Sequence, residues 1–169
     1  MSGLAPAGDT LRAAALAAAA TVPDPEIPSL SIADLGVLRD ARLAEDGAVE
    51  VDITPTYSGC PAMAMIAFEV EAALLRAGLP RPRVRTVLAP AWTTDWMTGE
   101  AREKLRQAGI APPPPGAGRA ALLGLAPDPA CPRCASADTE RLSEFGTTAC
   151  KSLWRCRACR EPFDHFKCI

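Results

Sequence analysis

Residues 131–159 read CPRCASADTERLSEFGTTACKSLWRCRAC: Cys131-Pro-Arg-Cys134, an interval of 21 residues, then Cys156-Arg-Ala-Cys159. Each Cys-x-x-Cys pair is tight enough to turn two thiolates toward one cation. Two such pairs complete a closed tetrahedral site of the kind that holds structural zinc. The segment has too few aliphatic residues for a core of its own, so bound metal is expected to supply much of its folding free energy. Thr139–Phe145, Lys151–Cys156 and Pro162–Lys167 read as strands, and with the two knuckles they make a zinc ribbon. A redox dithiol pair is the plainer alternative, but two matched knuckles favour metal.

Upstream, residues 111–129 (APPPPGAGRAALLGLAPDP) break the composition sharply. Four consecutive prolines favour extended geometry and cannot continue a helix, which makes this stretch a semi-rigid linker. Ala120–Leu125 within it is apolar enough to dock on a neighbouring surface. Before the linker, helix and strand patterns alternate. Asp9 or Thr10 caps an alanine-rich helix to about residue 20, and three prolines between Pro23 and Pro28 keep that stretch irregular. Val37–Leu43 and Ala48–Thr54 flank an Asp46-Gly47 hairpin turn, with Val49, Val51 and Ile53 on one face. A helix from Pro61 to Ala77 buries Met63, Ile66, Val70 and Leu74, and Gly78 ends it. Val84, Thr86 and Leu88 mark a third strand, and Gly99–Ala108 an amphipathic helix. The expected fold is α+β or α/β: a small three-stranded sheet with helices over 1–110, a proline-rich linker over 111–129, and a C-terminal zinc-ribbon β domain over 130–169.

The whole chain has 169 residues, 49% hydrophobic and 22% charged, which is enough to bury a core. A net charge of −2 lacks the basic footprint of a chain held mainly by nucleic acid. The charge divides unevenly, with 10 basic and 14 acidic residues in 1–110 against 7 and 5 in 131–169. The alanine run Ala13–Ala20 is too short to span a bilayer. No early Lys/Arg cluster suggests a secretory signal, so a cytoplasmic location is expected. In such a reducing compartment, six cysteines within the last 39 residues read as metal ligands before disulfides.

Three further groups are candidates. Cys60, in Thr54-Pro-Thr-Tyr-Ser-Gly-Cys60-Pro61, is expected at a helix N-cap, because Pro61 suits the first helical position. Free N–H groups and the helix dipole would there favour a reactive thiolate; the plainer reading is a buried structural cysteine. Cys150 and Cys168 lie outside the knuckles and could form a second thiol pair, or be small buried hydrophobes. Asp24, Glu26 and Asp34, with Thr93 and Asp95 of the Trp92–Trp96 loop, could line one cleft, although turn aspartates usually serve as caps. His165, the only histidine, is left out of the metal site, since four cysteines already saturate zinc.

Two stretches resemble known families. DPEIPSLSIADLGVLRDARL, TPTYSGCPA and LAPAWTTDWM are similar to the small domain of SufT-type iron–sulfur assembly proteins. SEFGTTACKSLWRCRACREPFDHFKC, placed behind such a domain, resembles the PaaD family of the bacterial phenylacetyl-CoA ring-epoxidase system, over nearly the whole chain. The resemblance implies an accessory protein of aerobic phenylacetate degradation with no catalytic residues of its own, attached to an oxygenase that uses NADPH and oxygen. It implies a role in assembling or delivering an iron–sulfur cluster, with zinc in the ribbon and a transient cluster as cargo. Asp24, Glu26, Asp34, Gly36, Cys60, Thr93 and Asp95 are the motif positions carried over. The implied partners are the other epoxidase components, foremost the iron–sulfur reductase. The sequence agrees in lacking a Glu/Glu-x-x-His di-iron set and a Gly-rich dinucleotide fingerprint. The rivals are a structural subunit bridging oxygenase components and a nucleic-acid-binding ribbon, which the acidic Asp138, Glu140 and Glu144 disfavour.

Overall fold

A computed structural model describes residues 7–57, 59–123 and 125–167. The chain divides into two units, one formed by Met1–Pro55 with Pro61–Ala91 and the other by Thr56–Cys60 with Trp92–Ile169. No helix among the described residues is long and apolar enough to cross a membrane.

The first unit holds α1 (Ala7–Ala19), β1 (Leu38–Leu43), β2 (Val49–Ile53), α2 (Met63–Arg76) and β3 (Arg83–Thr86). Its sheet runs β1-β2-β3, antiparallel between β1 and β2 and parallel between β2 and β3. The hairpin turns at Asp46-Gly47, where Gly47 takes φ +79°, a left-handed value open to glycine without a side-chain penalty. A parallel return needs a crossover, and α2 supplies it. Strict alternation in β2 buries Val49, Val51 and Ile53 on one face. The opposite face is a grid of charges: Arg42 bonds to Glu50 and Asp52, and Arg85 reaches Asp52 at 3.1 Å.

The expected stripe of α2 holds at Ile66, Val70 and Leu74, with Ala73 added, while Met63 is only half-buried. The helix ends in a Schellman motif. Gly78 at φ +72° donates its N–H to Leu75 O, Leu79 donates to Leu74 O at 3.1 Å, and Leu79 is itself buried. The proline-broken stretch is irregular yet supplies much of the core: Val22, Ile27, Leu30, Ile32, Leu35 and Val37 are all nearly inaccessible.

The second unit holds a 3₁₀ turn (Thr94–Trp96), α3 (Gly99–Gln107), β4 (Ile110–Ala111), α4 (Ala117–Leu122), β5 (Thr139–Ser143), β6 (Lys151–Cys156) and β7 (Pro162–Phe166). The three expected ribbon strands pair antiparallel in the order β5-β6-β7, and β4 adds to β7 in parallel. This differs from a domain boundary at 110 with a semi-rigid linker from 111. Ile110 and Ala111 pair with Asp164 and His165, so the chain enters the ribbon's sheet before its prolines begin. Arg102 on α3 then ties the segment down, donating to the carbonyls of Thr94, Met97 and Pro113. A short helix, α4, forms inside the stretch expected to be linker.

Candidate metal centre

The four knuckle cysteines converge. Cys131, Cys134, Cys156 and Cys159 place their Sγ atoms within 4.8 Å of one another. Two of the separations are 3.7 Å (Cys131–Cys159) and 3.6 Å (Cys134–Cys156). A tetrahedron with metal–sulfur bonds of about 2.3 Å has edges of about 3.8 Å. The thiols therefore stand at the spacing of a four-coordinate thiolate site, too far apart for S–S bonds.

The backbone explains the convergence. Residues just after the second cysteine of each knuckle take left-handed conformations, Ala135 at φ 59° and Arg160 at φ 65°. Ala135 N–H closes the first turn on Cys131 O at 2.9 Å, and Cys159 N–H donates to Cys156 Sγ in the second. Cys131 and Cys156 are buried whereas Cys134 and Cys159 are exposed, which puts the site at the edge of the domain. The ribbon's core beside it is Ala111, Cys131, Trp154, Cys156 and Phe163.

Protonation separates the thiols. The Cys159 backbone N–H draws Cys156 down to about 7. The Glu161 backbone interaction pulls Cys159 the same way, but desolvation and the neighbouring thiols outweigh it and push Cys159 up to about 12. Four sulfurs this close cannot all carry charge unless a cation sits among them. The donor set is thus complete for one soft dication and leaves no open position for chemistry.

The other expected residues fall into separate roles. Cys60 is not a helix cap. Pro61 and Ala62 form a turn, Ala62 precedes the helix with no side-chain cap, and α2 starts only at Met63. The dipole's influence fades within the first turn, so it cannot be assigned to Cys60. Cys60 is half-buried in the Thr56–Cys60 stretch, its N–H bonded to Tyr57 O at 3.1 Å. Asp24 is buried, and its Oδ1 accepts from Glu26 and Ile27 N–H at 2.8 and 2.9 Å, fixing the turn that carries Glu26. Asp34 and Ser31 exchange bonds as a capping box: Ser31 N–H to Asp34 Oδ2, and Asp34 N–H to Ser31 Oγ. Thr93 caps the 3₁₀ turn, and Asp95 Oδ1 accepts from Gly116 N–H at 2.9 Å, holding the start of α4. Cys150 is buried immediately before β6, its Sγ 3.1 Å from Thr148 Oγ1, and Cys168 lies outside the described residues.

Sequence reasoning missed a buried polar layer in the ribbon. Lys151 and Asp164 form an ion pair at 3.7 Å with side chains only 6% and 12% exposed, and Thr147 Oγ1 donates to Asp164. Trp154 Nε1 donates to Ser152 Oγ, which lies 3.5 Å from His165 Nδ1. Burial pushes His165 down to about 4, against a weaker upward pull from Asp128. These residues stand as adjacent pairs, Lys151-Ser152 and Asp164-His165, so no alternation along either strand marks them in the sequence.

Comparison with known proteins matches both parts. Residues 12–89 fit the family described as iron-sulfur cluster assembly protein, and residues 116–167 the PaaD zinc beta ribbon domain. The chain is 52% identical over 148 residues to the D component of the "Putative 1,2-phenylacetyl-CoA epoxidase" of Escherichia coli (strain K12), covering 88% of this chain and 87% of that protein. It is 38% identical to the "Fe-S protein maturation auxiliary factor YitW" of Bacillus subtilis (strain 168), over 48% of this chain and 79% of that one. Among solved structures it resembles the "Domain of Unknown Function DUF59 from Bacillus anthracis" (TM-score 0.54, 25% identity), covering 58% of this chain and 93% of that chain. An iron–sulfur-assembly-type domain followed by a four-cysteine ribbon, together with identity along most of the chain, makes this protein a member of the PaaD family.

Proposed function

We propose that this chain is a non-catalytic accessory factor of a phenylacetyl-CoA epoxidase system that helps install an iron–sulfur cluster in one of its components, foremost the reductase. One observation carries the reading: an iron–sulfur-assembly-type unit shares the chain with a four-thiol site that is already complete. The ribbon holds one zinc through Cys131, Cys134, Cys156 and Cys159 and serves as a rigid docking element. A closed tetrahedral site has no vacancy for a cargo cluster, so the cluster would be met by a different thiol.

Cys60 is our candidate for that thiol. It stands outside the metal site, is half-buried, and follows β2 in a short stretch with Gly59 beside it. Delivery would be a ligand exchange in which a client thiolate displaces the Cys60 thiolate from iron, with no change in oxidation state. Asp24, Asp34, Thr93 and Asp95 act as positioning residues, because their oxygens hold backbone turns. The nucleic-acid alternative is disfavoured by the pairing of three of the ribbon's five arginines with carboxylates. Arg141 bonds Glu144, Arg155 bonds Glu140, and Arg157 bonds Glu140 and Asp138.

The test is Cys60→Ser in cells that make the epoxidase system. The variant should fold and keep its zinc while the system's iron–sulfur content and turnover fall. Full cluster occupancy with normal turnover would remove Cys60 from the mechanism and leave the chain as a bridging component.

A further inference from the structure

The helix α2 is apolar on two opposite faces. Ile66, Val70, Ala73 and Leu74 are buried, while Met65, Phe68 and Leu75 are 53%, 64% and 61% exposed. At 100° per residue, Met65, Phe68, Ala72 and Leu75 fall within an arc of about 80° on the side away from the core stripe. Their spacing of i, i+3, i+7 and i+10 is that of a seam which packs against a second helix. A fold that needed only its own core would place polar residues there.

Charge chooses among the possible occupants. Glu69 and Glu71 lie on the two borders of this seam, and neither is paired with a basic side chain among the described residues. Two copies meeting antiparallel would set Glu69 against Glu69 and Glu71 against Glu71. Two copies meeting parallel would set Glu69 against Glu71. Either self-pairing brings like charges together, which is unfavourable at such positions. An anionic bilayer is repelled for the same reason. We infer that the outer face of α2 docks an amphipathic helix of a different protein, one whose apolar ridge is bordered by Lys or Arg. Apolar burial of Phe68, Met65 and Leu75 would supply the attraction, and the bordering charges the choice of partner.

The test uses the full-length chain in cells. A photo-cross-linking phenylalanine analogue replaces Phe68, and the same analogue at the exposed turn residue Glu45 is the control. The adduct at position 68 should map to a helix of another protein with at least two Lys or Arg bordering its apolar ridge. Reversing the borders with Glu69→Lys and Glu71→Lys should lower its yield at least tenfold while thermal unfolding of the chain stays unchanged. The inference is overturned by an adduct within the same chain, to a second copy, to lipid, or to a segment lacking basic borders. It is equally overturned by a yield insensitive to the charge reversal, or by no adduct beyond the Glu45 control.

Discussion

The two halves of this protein solve the same problem by different means. The first unit buries Ile32, Leu35, Val49, Val51, Ile53, Ile66, Val70 and Leu74 to 2% exposure or less, a core of aliphatic side chains drawn from strand, helix and irregular segments alike. In the ribbon, two of the five residues of the buried cluster are Cys131 and Cys156, which are also half of the four-cysteine cluster. Burial alone is expected to hold the first unit together. Cys156 and Cys131, 0% and 3% exposed, sit in that core as thiols that would repel one another once ionised with no cation between them. One region is therefore packed residue by residue, whereas the other gathers four thiols at a single shared centre.

That contrast is easiest to break at the centre. Cys156→Ser, or chelation of the metal, should unfold the ribbon outright, since structural zinc contributes on the order of 10 kcal/mol or more to domains of this type. Trp154, packed beside the site, is the natural fluorescence reporter. Backbone amide resonances of Val51 and Leu74 in the first unit should persist, and their loss would mean that the two regions share one cooperative transition. A cavity in the first unit should do less: Leu74→Ala at a fully buried position is expected to cost about 3 kcal/mol, read by denaturant unfolding. A loss below about 1 kcal/mol would place the core of that unit elsewhere.

The smallest effect concerns His165. Burial holds it near 4 when folded, below the ordinary value near 6.5. The unfolded chain therefore binds a proton first as the pH falls. This contribution is intact above about pH 6.5 and is lost progressively down to about pH 4. Between about pH 6.5 and about pH 5.5 the ribbon should lose about 1 kcal/mol that His165→Gln does not lose, measured with metal in excess. Equal slopes for the two proteins would show that the histidine is solvated.

Much of this was legible in the sequence. The four-cysteine cluster, the three ribbon strands, the β2 alternation and the Gly78 stop all follow from period and spacing, which are local signals. The N-cap role of Cys60 failed because Pro61 fits both the first helical position and the turn before it, and only the backbone decides between them. The reach of the second unit back to Trp92 was hidden because β4 is two residues long and pairs with a strand more than fifty residues later. No local pattern encodes such a contact. The same holds for Lys151 and Asp164, each unremarkable alone and informative only as a buried pair.

In the proposed function, a closed zinc site and a separate thiol divide the labour. The most direct test is zinc, iron and sulfide analysis of the full-length protein and of Cys60→Ser, both purified without oxygen. One zinc per chain is expected in each, lost on Cys131→Ser and untouched by Cys60→Ser. Iron and sulfide held by the four ribbon cysteines, or zinc that disappears with Cys60, would contradict it.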